Sequence, residues 1–240
     1  MSGVWILIIL ILISSLPVFA AFIWFRIAKY QIPAVQFFLV LLAGATAIFP
    51  ALVLQDLLGA APAMRGRGLL FYEFFIRIAL TEEISRLLML FIFFWISGII
   101  KPNENINKQP TFNSVHRGTA IGLVAGLGFA LLESAVFGVL NANIMLIRAF
   151  TAAPLHAACG SRIGAAAVLF PTNPIQAIMR IITATAIHGV YNLMIYIPNI
   201  PSIAAILIAF SALASAILSI HNGRAIDKSN NTAIDKTKDN

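Results

Sequence analysis

The stretch Val4-Trp-Ile-Leu-Ile-Ile-Leu-Ile-Leu-Ile-Ser-Ser-Leu-Pro-Val-Phe-Ala-Ala-Phe-Ile-Trp-Phe25 holds no ionisable side chain. About 20 apolar residues in helical conformation cross the hydrocarbon core of a bilayer. A secretory signal core is shorter and follows a basic segment, whereas the first basic residue here is Arg26. Val18-Phe19-Ala20 can mimic a cleavage site, but the length fits a first crossing. Arg26 and Lys29 follow at once, which by the positive-inside rule places the N-terminus outside and the first loop inside.

The rest of the chain reads the same way. Of 240 residues, 60% are hydrophobic and 10% charged, with a mean hydropathy of +0.93; a soluble domain has roughly a quarter of its residues charged. This excludes a soluble enzyme, a disordered protein and a disulfide-built secreted module. The formal net charge of +7 comes without the clustered basic and aromatic residues of a nucleic-acid groove. Cys159 is the single cysteine, so neither an internal disulfide nor a Cys-rich metal site is available.

Further apolar runs cover about 34–58, 70–100, 118–140, 148–170, 175–197 and 202–220, separated by Gly, Pro and Asn clusters. The expected fold is all-α: a polytopic helical membrane protein with about seven, at most eight, crossings. Residues 1–220 form a single membrane domain, with a core over about 70–197. The segment 70–100 is long for one crossing, so 70–77 is expected as a short interfacial helix. Gly122 and Gly126 make a small-xxx-small packing face. Residues 221–240 are polar and read as a disordered cytosolic tail. With the N-terminus outside, Arg26, Lys29, Lys101, Lys108, Arg117, Arg224, Lys228, Lys236 and Lys238 fall inside, against Arg65, Arg67 and Arg148 outside. The expected placement is a multi-pass protein of the cell membrane with a cytoplasmic C-terminus.

Ionisable groups inside crossings need a reason, because each costs roughly 2.5–3.5 kcal/mol at mid-membrane. Glu82, Glu83 and Arg86 lie in the third crossing, Glu133 in the fourth, His156 in the fifth and His188 in the sixth. At 1.5 Å per residue, the three glutamates and two histidines occupy one layer roughly 10–15 Å below the outer surface. Four consecutive helices delivering carboxylates and imidazoles to one depth mark a site. Glu82 and Arg86 are spaced i,i+4 and Glu83 and Arg86 i,i+3, so the arginine can neutralise one glutamate while the other faces a cavity. His188 and Asn192 share a helix face, as do Phe129 and Glu133. Cys159 reads as a small buried apolar residue, and Arg162 and Arg180 as side chains snorkelling toward inner helix ends.

Thr81-Glu82-Glu83-Ile84-Ser85-Arg86, Gly126-Leu127-Gly128-Phe129-Ala130-Leu131-Leu132-Glu133-Ser134, Pro154-Leu155-His156 and His188-Gly189-Val190-Tyr191-Asn192 together resemble the PrsW intramembrane proteases, distant relatives of the CAAX prenyl endopeptidases and ABI-type proteins. The resemblance spans about residues 80–193, with the motifs in order. The family pattern is Glu-Glu-x-x-Lys, Phe-x-x-x-Glu and a later His-x-x-x-Asp; here Arg86 replaces the Lys and Asn192 the Asp. It implies a catalytic core of Glu82, Glu83 and His188, with Glu133 and His156 as accessory groups. It also implies cleavage of membrane-anchored protein substrates typified by anti-sigma factors.

In such an enzyme Glu83, or Glu82 in its place, would activate water. His188 and Asn192 would stabilise the oxyanion, and His156 would assist or protonate the leaving amine. Arg86, Glu133 and Phe129 support. A metal version uses His156, His188 and Glu133 as ligands, with zinc as the fitting ion; the metal-free version is preferred at this stage. The rival class is a transporter or proton relay built on the same polar layer, although the first two crossings hold no ionisable residue at a depth that mirrors the later ones, Asp56 lying at the end of the second. A non-catalytic scaffold is the third class. Membrane lipid is an expected partner and nucleic acid is not.

Overall fold

The computed structural model describes residues 12–28, 32–59, 66–97, 115–140, 142–197 and 202–238, with Trp5 and Ile8 placed singly. Lys29, Arg65, Lys101, Lys108 and Asn141 lie outside the described residues. Among those described, every regular element is helical: α1 (Leu16–Ile27), α2 (Ala34–Thr46), α3 (Ile48–Leu58), α4 (Arg67–Phe71), a π-helical stretch (Tyr72–Leu80), α5 (Thr81–Ile96), α6 (Val115–Leu140), α7 (Ala142–Leu169), α8 (Pro174–Tyr196) and α9 (Ser202–Lys238). The protein is an all-α polytopic membrane protein. Four spans among the described residues are long and apolar enough to cross a bilayer alone: Ala34–Leu58, in which α2 and α3 run together, Val115–Phe137, Pro174–Tyr196 and Ile203–Asn222. Helices α5 and α7, which carry Glu82, Glu83, Arg86 and His156, stand outside that set.

The molecule is apolar outside and encloses a polar cluster within a largely apolar core. Phe19, Ile23, Leu39, Leu42, Leu207 and Phe210 face outward, while Glu82, Glu83, Arg86, His156 and His188 are buried. Continuous apolar faces of this kind belong against lipid.

The deepest packing joins α6 to α7, and glycine makes it possible. A Cβ on Gly118, Gly122 or Gly126 would land on the backbone of Gly164, Gly160 or His156, respectively. The small-residue face read from Gly122 and Gly126 therefore brings two backbones into contact, as small residues do between helices in lipid. The opposite side of α6 meets α2, where a Cβ on Gly128 would strike the carbonyl of Leu41. Helix α6 is thus the central post. Its contact with His156 sets the height at which α7 delivers that side chain, two residues after Pro154 interrupts the α7 hydrogen-bond ladder.

Two expectations change. The segment 70–77 is no separate interfacial helix: the backbone stays helical from Arg67 through Ile96, with nine residues wound as a π-helix. Helical bonds satisfy the peptide groups in lipid, so a wider winding replaces a break. This stretch is held from both sides. The Tyr72 hydroxyl donates to the Leu58 carbonyl at 2.9 Å, and the Phe75 ring lies where a Cβ of Gly189 would be. At the other end of the chain, the α9 backbone continues through Lys238, where the sequence suggested an unfolded extension. Extending a helix already nucleated by its apolar half is far easier than starting one.

Candidate active site

The first turn of α5 carries Glu82 and Glu83 side by side, with Arg86 one turn on. Among the described residues Arg86 is the largest fully buried side chain, and Glu83 is equally hidden, both at 0% exposure. A buried guanidinium persists only if its charge and donors are met. Arg86 Nη2 donates to Glu83 Oε1 at 2.6 Å, Nη1 reaches the His156 carbonyl at 3.5 Å, and the guanidinium lies over the Phe129 ring, 4.7 Å from its centroid. One side chain thereby ties α5 to α6 and α7. Glu82 Oε2 is 3.9 Å from Arg86 Nη2. The arginine therefore neutralises Glu83 and leaves Glu82 largely to the other side.

The histidines come from the next two helices. His188 on α8 sits between the two glutamates, with Nδ1 2.9 Å from Glu83 Oε1 and Nε2 3.6 Å from Glu82 Oε2. His156 on α7 places Nε2 2.8 Å from Glu133 Oε2. Its ring meets that of His188 edge to face at 5.0 Å and that of Phe129 at 5.1 Å. Glu133 is also ion-paired with Arg148 Nη2 at 2.5 Å.

Each imidazole thus has one nitrogen on a carboxylate that orients the ring. His156 Nδ1 is buried and makes no hydrogen bond, and His188 Nε2 lies beyond hydrogen-bond reach of Glu82. Glu82 Oε2 is likewise buried without a hydrogen-bond donor. One ligand atom from each of Glu82, His156 and His188 lies within 4.8 Å of the other two. A carboxylate behind each ligating histidine is the usual second layer of a metal centre. With the carboxylates ionised, three negative charges face two guanidiniums, so the cluster is short of positive charge. The donor set therefore fits a divalent cation such as zinc.

That set differs from the expected ligands in one member. Glu133 was placed with His156 and His188, but its inner oxygen is already shared between His156 and Arg148. Glu82 stands in the third position instead. Phe129 serves as a ring platform rather than through chemistry of its own. Asn192 is half-buried one turn beyond His188 and makes no hydrogen bond within the cluster. Cys159, buried on α7, directs its Sγ to the Ala184 carbonyl of α8 at 3.5 Å and takes no part.

Two partners escaped the sequence reading. Gln55 Nε2 on α3 donates to Glu82 Oε1 at 3.4 Å, and Arg77 Nε donates to the Gln55 carbonyl at 3.3 Å. Gln55 was visible as a polar residue beside Asp56 near the end of a largely apolar run. Arg148 was counted as a surface charge because it begins an apolar segment, yet it turns inward to Glu133.

The chain matches the family model of the PrsW family intramembrane metalloprotease over residues 33–218. It belongs to that family. No curated protein and no solved structure matches it. The match takes in every helix that contributes to the cluster, from Gln55 on α3 to His188 on α8. Membership makes the protein an intramembrane protease, embedded in a membrane and acting on protein. It also sets aside the transporter and scaffold readings of the same buried layer. In this PrsW-family protein, Arg86 closes the ion pair with Glu83.

Proposed function

We propose that the protein hydrolyses a peptide bond of a membrane-anchored substrate, with Glu82, His156 and His188 holding a divalent metal ion and Glu83 acting as general base. The observation that supports this most directly is that one ligand atom from each of Glu82, His156 and His188 lies within 4.8 Å of the other two, while Glu82 Oε2 and His156 Nδ1 are buried without a hydrogen-bond partner. When bound, zinc would polarise the scissile carbonyl and make a neighbouring water more acidic.

The chain's own groups supply the remainder. Arg86 and His188 fix Glu83 through Oε1, which leaves Oε2 without a partner. That oxygen accepts a proton from the attacking water as the water oxygen bonds to the carbonyl carbon. The same proton passes to the leaving nitrogen as the carbon–nitrogen bond breaks. Asn192 is assigned to donate to the developing oxyanion. His156, tied to Glu133 through Nε2, orients rather than protonates. Burial of the cluster keeps bulk water away from these charges, which strengthens each interaction.

The free oxygen of Glu82 also favours a second reading, in which Glu82 is the base and no metal takes part. By family likeness the substrates are anti-sigma-factor-like proteins cut near the outer face of the cell membrane. The Lys and Arg asymmetry of the sequence supports an outer N-terminus and a cytoplasmic C-terminus.

The test measures metal content and cleavage of a single-pass membrane substrate for the wild type, Glu82→Gln, Glu83→Gln and His188→Ala. Glu82→Gln and His188→Ala are expected to lose bound metal. Glu83→Gln keeps it while cleavage falls by about 10²–10⁴-fold. Wild-type cleavage in all three variants would sink both readings. Full activity after exhaustive chelation would discard the metal and leave Glu82 as the base.

A further inference from the structure

Away from the Glu/His cluster, the same two helices carry a second pair of ionisable side chains. Arg162 follows His156 on α7 by six residues, and Arg180 precedes His188 on α8 by eight, displacements of about 9 and 12 Å toward the α7–α8 turn. Both line a cavity of about 330 Å³, together with Gln176, Met179 and Thr183. Among the described residues neither arginine is ion-paired.

Arg162 does not snorkel outward. Its Nη1 donates to the Ala158 carbonyl one turn back at 2.8 Å, and Nη2 to Ser215 Oγ of α9 at 2.7 Å. The guanidinium is fixed as a wall of the cavity. Arg180 has no hydrogen-bond partner among the described residues and is free to swing over the opening. Two like charges kept together within a membrane protein call for an anion between them. The N-terminal end of α8, with its positive dipole end, adds to the same field.

We propose that this cavity binds the phosphate of an anionic membrane phospholipid. A lipid is favoured over free phosphate by the flank of the cavity. Ile175, Ile178, Met179 and Ile182 of α8 are exposed apolar side chains beside it, an apolar track along which acyl chains can lie. Phosphate with paired guanidiniums is a strong, directional contact, and basic pockets between transmembrane helices hold acidic headgroups in this way.

The test is native mass spectrometry of the full-length protein in detergent, titrated with phosphatidylglycerol or with phosphatidylcholine of the same acyl chains. Inorganic phosphate is added in a separate arm. Phosphatidylglycerol is expected to bind about tenfold more tightly than phosphatidylcholine. Arg180→Gln removes that preference, and Arg180→Lys keeps most of it. Arg180→Gln leaves the bonds of Arg162 intact, so a folded variant is available whatever happens to Arg162→Gln. Equal binding of the two lipids, or an undiminished preference in Arg180→Gln, would overturn the proposal. So would displacement of phosphatidylglycerol by millimolar phosphate, which would mark the site as one for the free ion.

Discussion

Helices α7 and α8 bring His156 and His188 together at one level and Arg162 and Arg180 at another, nearer the α7–α8 turn, and the two regions treat ionisable groups in opposite ways. Around His156 and His188 the charges are enclosed and, Glu82 apart, answered by the fold: Arg86 by Glu83, Arg148 by Glu133, each imidazole by a carboxylate. Around Arg162 and Arg180 two positive charges line an open cavity without a counter-ion from the described chain. The first arrangement is rigid because removing any member strands its partner in a medium that cannot solvate it. The second is cheap to alter because its missing partner must come from outside. Buried charge in a membrane protein therefore carries two different messages, according to whether the fold itself completes the pair.

The sharpest way to break this comparison is Arg86→Met. It leaves Glu83 buried beside no cation, and a loss of about 3–5 kcal/mol is expected from removing one partner of a buried pair, read as a fall in thermal unfolding midpoint in detergent. Arg86→Lys should recover most of it, since the charge survives while the stacking on Phe129 and the reach to the His156 carbonyl are lost. A stable Arg86→Met protein would show that the enclosed half is no more tightly coupled than the open one.

Gly126→Leu tests the backbone rather than the charges. The α6 position against which His156 rests has no room for a side chain, so overpacking should cost about 1–3 kcal/mol. It should also weaken metal binding, by shifting His156 away from Glu82. Glu133→Gln is milder for the fold but sharpens the second-layer role. Loss of the carboxylate behind His156 should reduce metal affinity about 10–100-fold, measured by competition with a chelator, with little change in helicity. The smallest effect belongs to the open half. Arg180→Gln should alter unfolding stability by no more than about 0.5 kcal/mol; a larger loss would mean that an unseen partner already completes that pair.

Much of the site was legible in the sequence because hydrocarbon imposes a strict rule. A carboxylate or imidazole within an apolar run is costly enough to demand company, and helical rise converts its position into a depth. Glu82, Glu83, His156 and His188 could be brought to one layer on that basis. The same rule hid Gln55, since an uncharged amide in α3 demands less explanation, and misplaced Arg148, since an arginine at a helix end can reach water in either direction. Arg162 was misread for the same reason. Only the coordinates show that its guanidinium turns back toward Ala158 and across to Ser215.

What the amino-acid order determined alone is the all-helical membrane architecture, the glycine face of α6 and the depth of the polar layer, all of which follow from local periodicity and transfer cost. Which carboxylate pairs with which cation was decided by rotation about helix axes. Adjacent residues such as Glu82 and Glu83 point about 100° apart, and no local signal says how α5, wound through a π-helical entry, turns relative to α7 and α8. Tertiary packing made that choice: it gave Glu83 to Arg86 and His188, Glu133 to Arg148 and His156, and left Glu82 beside both histidines with one oxygen free of hydrogen bonds.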